Sequence, residues 1–581
     1  MNKYITVLFI LLATTVCSVA QSRKDSLTTK VVDVVKSYAP TIADATKKRD
    51  DAKIKDSLTV KKKEISYTIH SVPVASTFVP EKGKAAVMSQ NIVREDSPNS
   101  YVGGGFGMAN TLYADANISY QVSDFSKFSF LLNHLSSNDN IDNILPETNY
   151  SVSGAELRYD FQSQALQWGL NADLGRRLHN WYGIRPNTYN KNDLRGKIDE
   201  MQQIYFDYGA GGYLQWENPY FKGIQFSIDG LSDHFNTKEL NLKASPSFEV
   251  PLTDGQRIHA KMLVDYYESS FSRENNLINS MDNRWMFFGL TPSYQLSVDK
   301  LNVKLGLALL YMDANKSSED KFKAYPDVEA SYALSSEAIL HAGVRGTMQQ
   351  NTIEKLSKKN PFLAPMQEIK PTNVQVDAFV GLNGKLSDLQ YRLQGSYRKY
   401  KEMPLFTTFS EDPLVATAIL PYQYRNSFGV VYDELSDFEF LAGVGGKLKD
   451  ILNFNFEGKL HNYRATQQQG HTAWNLPNIE ISLYTDFKIL PNLFAGADLF
   501  YVGTRYDLDY VTTATPIAAK LTLEGYIDVN LHADYTFNKH WQVFVKANNL
   551  STQNHTLWAH YPSQGLQIFA GVRYLFSLGK R

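Results

Sequence analysis

His555 and His560 lie in one short stretch with Trp558 and Tyr561, the pairing of imidazoles and aromatic rings in this sequence most suggestive of a metal or ligand contact. A metal site would need carboxylate or thiolate partners at ligand spacing, and none accompanies them. Loop histidines are most often simply loop residues, so no metal is expected here. The polar run from Asp313 to Lys321 could attract a cation, but it lacks the regular acidic spacing of a calcium loop. No glycine-rich phosphate loop, nucleophile elbow or paired-carboxylate arrangement stands out. The reading from these residues is therefore a protein without enzymatic chemistry and without a cofactor.

The elements that carry these residues are legible in composition and pattern. The chain has 581 residues, with 59 Lys plus Arg against 60 Asp plus Glu and a net charge of -1. Such a balance supplies no global basic field, so no nucleic-acid partner is expected. Aromatic residues make up 13%, including 35 Tyr and 32 Phe, which suits strands better than helices. Mean hydropathy is -0.33, and beyond the N-terminus there is no apolar run long enough for a membrane-spanning helix. Residues 1–20 read as a secretory signal peptide: Lys3, an apolar stretch from Ile5 to Val16, then Ser18, Val19 and Ala20 before the cut. Cleavage there removes Cys17, the sole cysteine, so disulfide and thiol chemistry play no part in the mature chain.

The dominant signal is alternation with period two. Leu566, Ile568, Ala570, Val572, Tyr574 and Phe576 share one face, and Gln567, Gly571, Arg573 and Ser577 the other. Ile479, Ile481, Leu483, Phe487 and Ile489 alternate with Glu480, Ser482, Tyr484, Asp486 and Lys488; Leu521 to Phe537 keeps the same rhythm. Leu301, Val303, Leu305, Leu307, Leu309 and Tyr311 make one more apolar face, and Trp541, Val543, Val545 and Ala547 another. Strands of this length with strongly ionic opposite faces need lipid on one side and water on the other, the signature of a transmembrane antiparallel β-barrel. A secreted sandwich or propeller is the rival, but its strands usually run to about five or six residues. Short links at 298–300, 386–388, 490–492 and 537–540 predict tight turns. Longer linkers at 138–149, 184–200, 271–282, 349–372, 403–422, 463–473 and 508–518 predict external loops. The fold class is thus all-β, a barrel of about 22 strands (range about 20–24) over 99–581, with 423–448 readable as one strand or two. Aromatics at 179–184, 264–269, 283–288 and 557–561 are expected to form interfacial girdles.

Residues 541–577, "WQVFVKANNLSTQNHTLWAHYPSQGLQIFAGVRYLFS", resemble the closing segment of TonB-dependent receptor barrels: a strand ending in Asn549-Leu550, a loop, then a last strand with a terminal aromatic. The stretches at 35–46, 71–86 and 180–183 resemble a plug-poor group of such barrels. The resemblance implies a bacterial outer-membrane location, contact with outer-membrane lipid, and Tyr574 and Phe576 as the signal read by the barrel-insertion machinery. The partners it leaves open are TonB or other envelope proteins. "SLTTKVVDVV" at 26–35, with Thr28, Val31, Val32 and Val34, is a weak candidate for a TonB-contacting segment that pairs by strand addition, the alternative being a segment that docks to the barrel or to a periplasmic partner.

The departure from the family lies in front of the barrel. Residues 21–98 are too few and too polar for the usual plug, and Lys47, Lys48, Arg49, Lys53, Lys55 and Lys61 to Lys63 form a basic run. A periplasmic, partly flexible segment is expected. A barrel of this size normally has a filled lumen, so this segment, inward loops such as 349–372 and 403–422, or a second protein must fill it. Two functions fit: a receptor/transporter-like barrel for solute uptake, or a scaffold or accessory subunit of an envelope assembly or secretion complex.

Overall fold

The computed structural model describes residues 99–579, except 139, 186–188, 190–193, 195–197, 272–280, 315–320, 410–419, 467–471, 512–516 and 552–554. The signal peptide, the segment 21–98 and the candidate TonB-contacting residues lie outside the described residues.

Twenty-two antiparallel strands close into a barrel. Their lengths run from 8 residues in Ser100–Gly107 to 21 in Phe428–Leu448. Closure is direct: the first strand pairs with the last, Gln567–Phe576, from Ser100↔Phe576 to Gly107↔Phe569. A two-residue extension, Leu578–Gly579, then runs parallel to Tyr120 and Gln121, and the Asn99 side chain bonds the backbone of Leu578 in both directions. Closing the sheet removes the unpaired edge that an open sheet would present to lipid.

The alternation becomes two environments. On strand Leu301–Ala314, Leu305, Leu307 and Leu309 are exposed to the bilayer side, whereas Leu310 and Met312 are buried inside. On the last strand Ile568, Val572 and Tyr574 face out while Gln567, Phe569, Arg573 and Leu575 are buried within. Arg573 ties the seam across several strands, donating to Asp115, Asp534 (2.8 Å) and Gln542 (3.3 Å). Removing any one of those acceptors would leave a guanidinium short of partners, which is costly in a confined lumen.

Turn lengths divide the two ends. Asp299–Lys300, Ser387–Asp388 and Pro491–Asn492 each join neighbouring strands at one end, and Asp299 and Ser387 take positive φ (48° and 55°). Such mirror-image turn geometry matches strand twist, which is why short polar residues close these hairpins. The long connections all lie at the opposite end.

Several expectations change. Of the two readings of 423–448 the single strand holds, as Phe428–Leu448, and the strands before the linkers at 403–422 and 463–473 extend further than those linkers imply, to Thr408 and Ala465. The linker at 508–518 is largely a side hairpin, Arg505–Val511 paired with Ile517–Leu523, separate from the barrel sheet. The rhythm from Leu521 to Phe537 therefore spans two elements, and Leu523 is buried (3% exposed) rather than lipid-facing. Alternation continues through both because a hairpin buried on one face and a membrane strand share the period of two.

Candidate functional site

The girdle expectation is also corrected, and the correction reveals the site. Trp181, Tyr182, Tyr267 and Tyr561, from three of the four aromatic stretches, are buried in one core with Tyr205, Leu231, Ile353, Leu356, Phe362, Phe406, Tyr422 and Phe428. Trp285, from the fourth, packs against it, and its indole N–H donates to Ile369 O (2.8 Å). In this core the loop residues Trp181, Tyr182, Phe362, Tyr422 and Tyr561 fold into the mouth and pack on the strand residues Tyr205, Leu231, Tyr267, Phe406 and Phe428. Long aromatic side chains at strand ends look alike in sequence whether they anchor at a membrane interface or fill a lumen.

Tyr561 is the centre of this cap. Its ring stacks on Phe362 at 3.7 Å and 23° and lies 4.7 Å from the Tyr182 ring, and its hydroxyl donates to Asn426 O. Asn426 in turn donates to Trp181 O (2.8 Å) and Pro421 O (3.0 Å). Tyr182 donates to Pro562 O (3.0 Å) and Tyr205 to Leu363 O (3.3 Å). Gly183 allows the stack: a Cβ there would sit 2.0 Å from Tyr561 Cε2. Burial pushes the Tyr561 hydroxyl well above its ordinary value, so it remains a donor.

A short helix, Ile353–Lys359, links cap to wall. Thr352 caps it by accepting from Lys355 N (3.1 Å). Glu239, on strand Thr237–Thr253, accepts from Ile353 N, from Glu354 N (3.1 Å) and from the Tyr267 hydroxyl (2.8 Å). Arg177 grips Asp207 with two bonds of 2.7 and 2.9 Å and reaches Ser357 Oγ at 3.0 Å. Buried carboxylate and guanidinium are thus matched with donors and acceptors, the condition under which burying charge is tolerable.

The side hairpin joins the same cap. Arg505 donates to Leu557 O (2.6 Å) and Thr556 O (3.0 Å). Asp507 is fully buried; its Oδ1 accepts from Thr408 N (3.2 Å) and Leu508 N (2.7 Å). Burial raises its carboxyl to about 6, the donors opposing the rise.

The sequence-selected residues separate. His555 stacks on Tyr526 (4.0 Å, 12°), whereas His560 Nε2 faces Asp509 at 3.4 Å, so the two imidazoles have different neighbours. Asp313 and Lys321, at the two ends of the other candidate cation stretch, pair with each other at 2.9 Å, and 315–320 lies outside the described residues. Tyr574 faces the bilayer, and Phe576 ends the last strand opposite Ser100.

Below the cap the inner wall is charged. Asp437, Glu439 and His461 bring ligand atoms within 4.8 Å of one another. Arg398 occupies this cluster, bonding both Glu439 oxygens (2.8 and 2.9 Å) and lying 3.7 Å from Asp437, while Asp377 accepts from it at 3.3 Å. The guanidinium pairs with all three carboxylates, which makes the group an ion-pair network. Sequence reading missed this network because its members become neighbours only through strand register, as in Arg398↔Asp437 and Asp437↔Tyr463.

No protein-family model and no curated protein matches the sequence. Solved structures do match. The FrpB iron transporter from Neisseria meningitidis superposes with a TM-score of 0.59 at 9% identity, covering 83% of this chain and 82% of that one. The pyoverdine outer membrane receptor FpvA from Pseudomonas aeruginosa PAO1, bound to pyoverdine, gives 0.60 at 13%, covering 83% and 79%. The ferric-catecholate import receptor Fiu from K12 E. coli gives 0.56 at 10%, covering 83% and 82%. The chain therefore has the barrel fold of TonB-dependent siderophore receptors.

Proposed function

We propose that the protein is an outer-membrane receptor/transporter-like barrel that takes up a solute, with the loop cap as its surface gate. The observation that carries this reading is the cap: loops from distant parts of the chain interlock around Tyr561 inside the mouth of a barrel whose wall is polar and charged. A pure membrane anchor needs no such lumen. The receptor fold supports the reading, as do neighbours whose names state iron transport and pyoverdine reception. In this reading Thr28, Val31, Val32 and Val34 offer TonB an extended periplasmic segment, and Tyr574 and Phe576 direct insertion.

A second reading, a scaffold or accessory subunit of an envelope complex, is favoured by loop residues that pack into one core with the wall around Tyr561. The test is purification from membranes in gentle detergent, with mass spectrometry of everything retained. A barrel recovered alone, or with TonB and a surface lipoprotein, supports uptake. Stoichiometric envelope proteins that are lost when 21–98 is deleted refute uptake in favour of the scaffold.

A further inference from the structure

Beneath the cap, two adjoining cavities of ≈ 440 and ≈ 770 Å³ open on the inner wall and share Lys261, Thr291, Thr347 and Gln349 in their linings. These are the dimensions of sites for small solutes. Five cations line the pair (Lys243, Lys261, Lys304, Arg345 and Lys355) against three carboxylates.

Each carboxylate is already matched. Asp327 takes Lys304 at 2.6 Å, Asp377 takes Arg345 at 2.9 Å, and Asp265 has Lys243 at 3.9 Å and the Asn241 amide at 2.7 Å. Two lysines are left over. Lys355 Nζ donates only to Gln350 O (3.1 Å), and Lys261 has no hydrogen bond or ion pair among the described residues. Lys261 sits on the lumen side of strand Gln256–Phe271, between Ser247 and Thr291 on the neighbouring strands. Register alone places these hydroxyls beside it.

A third feature narrows the ligand. Gln350 lines the larger cavity, and its buried Oε1 has no donor among the described residues. A buried acceptor without a donor costs about 1–3 kcal/mol, so a ligand hydroxyl placed there would be favoured.

We propose that Lys261 and Lys355 hold a small hydroxylated oxyanion, a sugar phosphate or a sugar acid, on the lumen wall beneath the cap. Two ammonium groups meet its charge, Thr291 and Thr347 border it, and Gln350 accepts from a hydroxyl. Phosphate and carboxylate share this chemistry. The inference rests on the uptake reading, since it names the solute class that reading leaves open.

The test is calorimetric titration of the purified full-length barrel with glucose 6-phosphate, with gluconate, and with glucose as the neutral control. Binding of either anion and not of glucose is expected, and which anion binds identifies the phosphate or the carboxylate source. Lys261→Gln with Lys355→Gln should weaken binding by about tenfold per lysine, the loss of a charge-assisted hydrogen bond each. Lys261→Arg with Lys355→Arg keeps the charge and should retain most of it, and Lys385→Gln, at the exposed end of strand Thr372–Leu386 and outside both cavity linings, should retain all. Correct folding of each variant is read from the heat-dependent shift of the barrel on gels. Absence of anion binding by the unaltered barrel, equal binding of glucose, or full binding by the double Gln variant overturns the proposal. Because titration needs neither TonB nor transport, these outcomes leave the uptake reading to the co-purification result.

Discussion

Tyr561→Ala should unfasten the cap without unfolding the barrel. The ring is fully buried and stacks on Phe362 at 3.7 Å, with Tyr182 at 4.7 Å. Deleting a buried aromatic side chain costs about 3–5 kcal/mol, and stranding Asn426 O without its donor adds about 1 kcal/mol. The wall is held by ladder hydrogen bonds around the whole cylinder, so this loss falls on the cap. Taking about 4 kcal/mol as the local cost, cap opening becomes about a thousandfold more frequent. Hydrogen exchange read by mass spectrometry should show this in peptides covering 181–185, 353–364 and 420–428, while peptides within Leu301–Ala314 keep their protection. Tyr561→Phe, which loses only the hydroxyl, should give about a tenth to a hundredth of the effect. Gly183→Ala should mimic the truncation by wedging a methyl into the ring. If exchange across these three loop peptides is unchanged in Tyr561→Ala, the cap is not a cooperative unit and the argument is wrong.

Other outcomes follow from the same geometry. Asp507 has its carboxyl raised to about 6 from an ordinary 3.8, so the folded state binds the extra proton between those values. Its contribution is fully present below about pH 4 and lost as pH rises through about 6, up to about 3 kcal/mol. Thermal melting of the side hairpin region should rise on acidification over that window, and Asp507→Asn should flatten the dependence. Arg177→Met strands the buried Asp207 carboxylate and should destabilise the wall below the helix by about 3–5 kcal/mol, measured by urea unfolding in lipid. Leu307→Arg puts a guanidinium on the bilayer face and should cost about 2–4 kcal/mol in the same assay, whereas lumen-facing Thr291→Arg should fold almost normally. Changing both Tyr574 and Phe576 to Ala should lower the yield of heat-modifiable barrel in cells; a normal yield would remove them as an insertion signal.

The barrel was legible because a strand between lipid and water has one repeating rule, and Leu305, Leu307 and Leu309 obey it visibly. Turns such as Asp299–Lys300 were legible for the same local reason. The cap was not. Tyr182 and Tyr561 are far apart in the chain, and nothing local to either distinguishes a mouth-filling ring from one that anchors at a membrane interface. Barrel size offered three fillers for the lumen, residues 21–98, inward loops such as 349–372 or a second protein, and Ile353, Leu356 and Phe362 show the loop 349–372 turning inward. Alternation misled at Leu521 to Leu523, where a side hairpin copied the period of a membrane strand. Among the chemical candidates, the paired histidines drew attention by proximity in sequence. Lys261 and Lys355 carry no local signal: register sets hydroxyls and no carboxylate opposite Lys261, and Lys355 reaches the same cavity from the short helix Ile353–Lys359.

The placement of Tyr561 also fixes an order of events. Its loop leads into the final strand, while its partners Tyr182 and Phe362 arrive with the early and middle strands. Contacts this remote in sequence form only after the intervening chain has been organised. The cap around Tyr561 is accordingly completed only once the chain from Tyr182 through Phe362 is in place, late in the folding of the barrel.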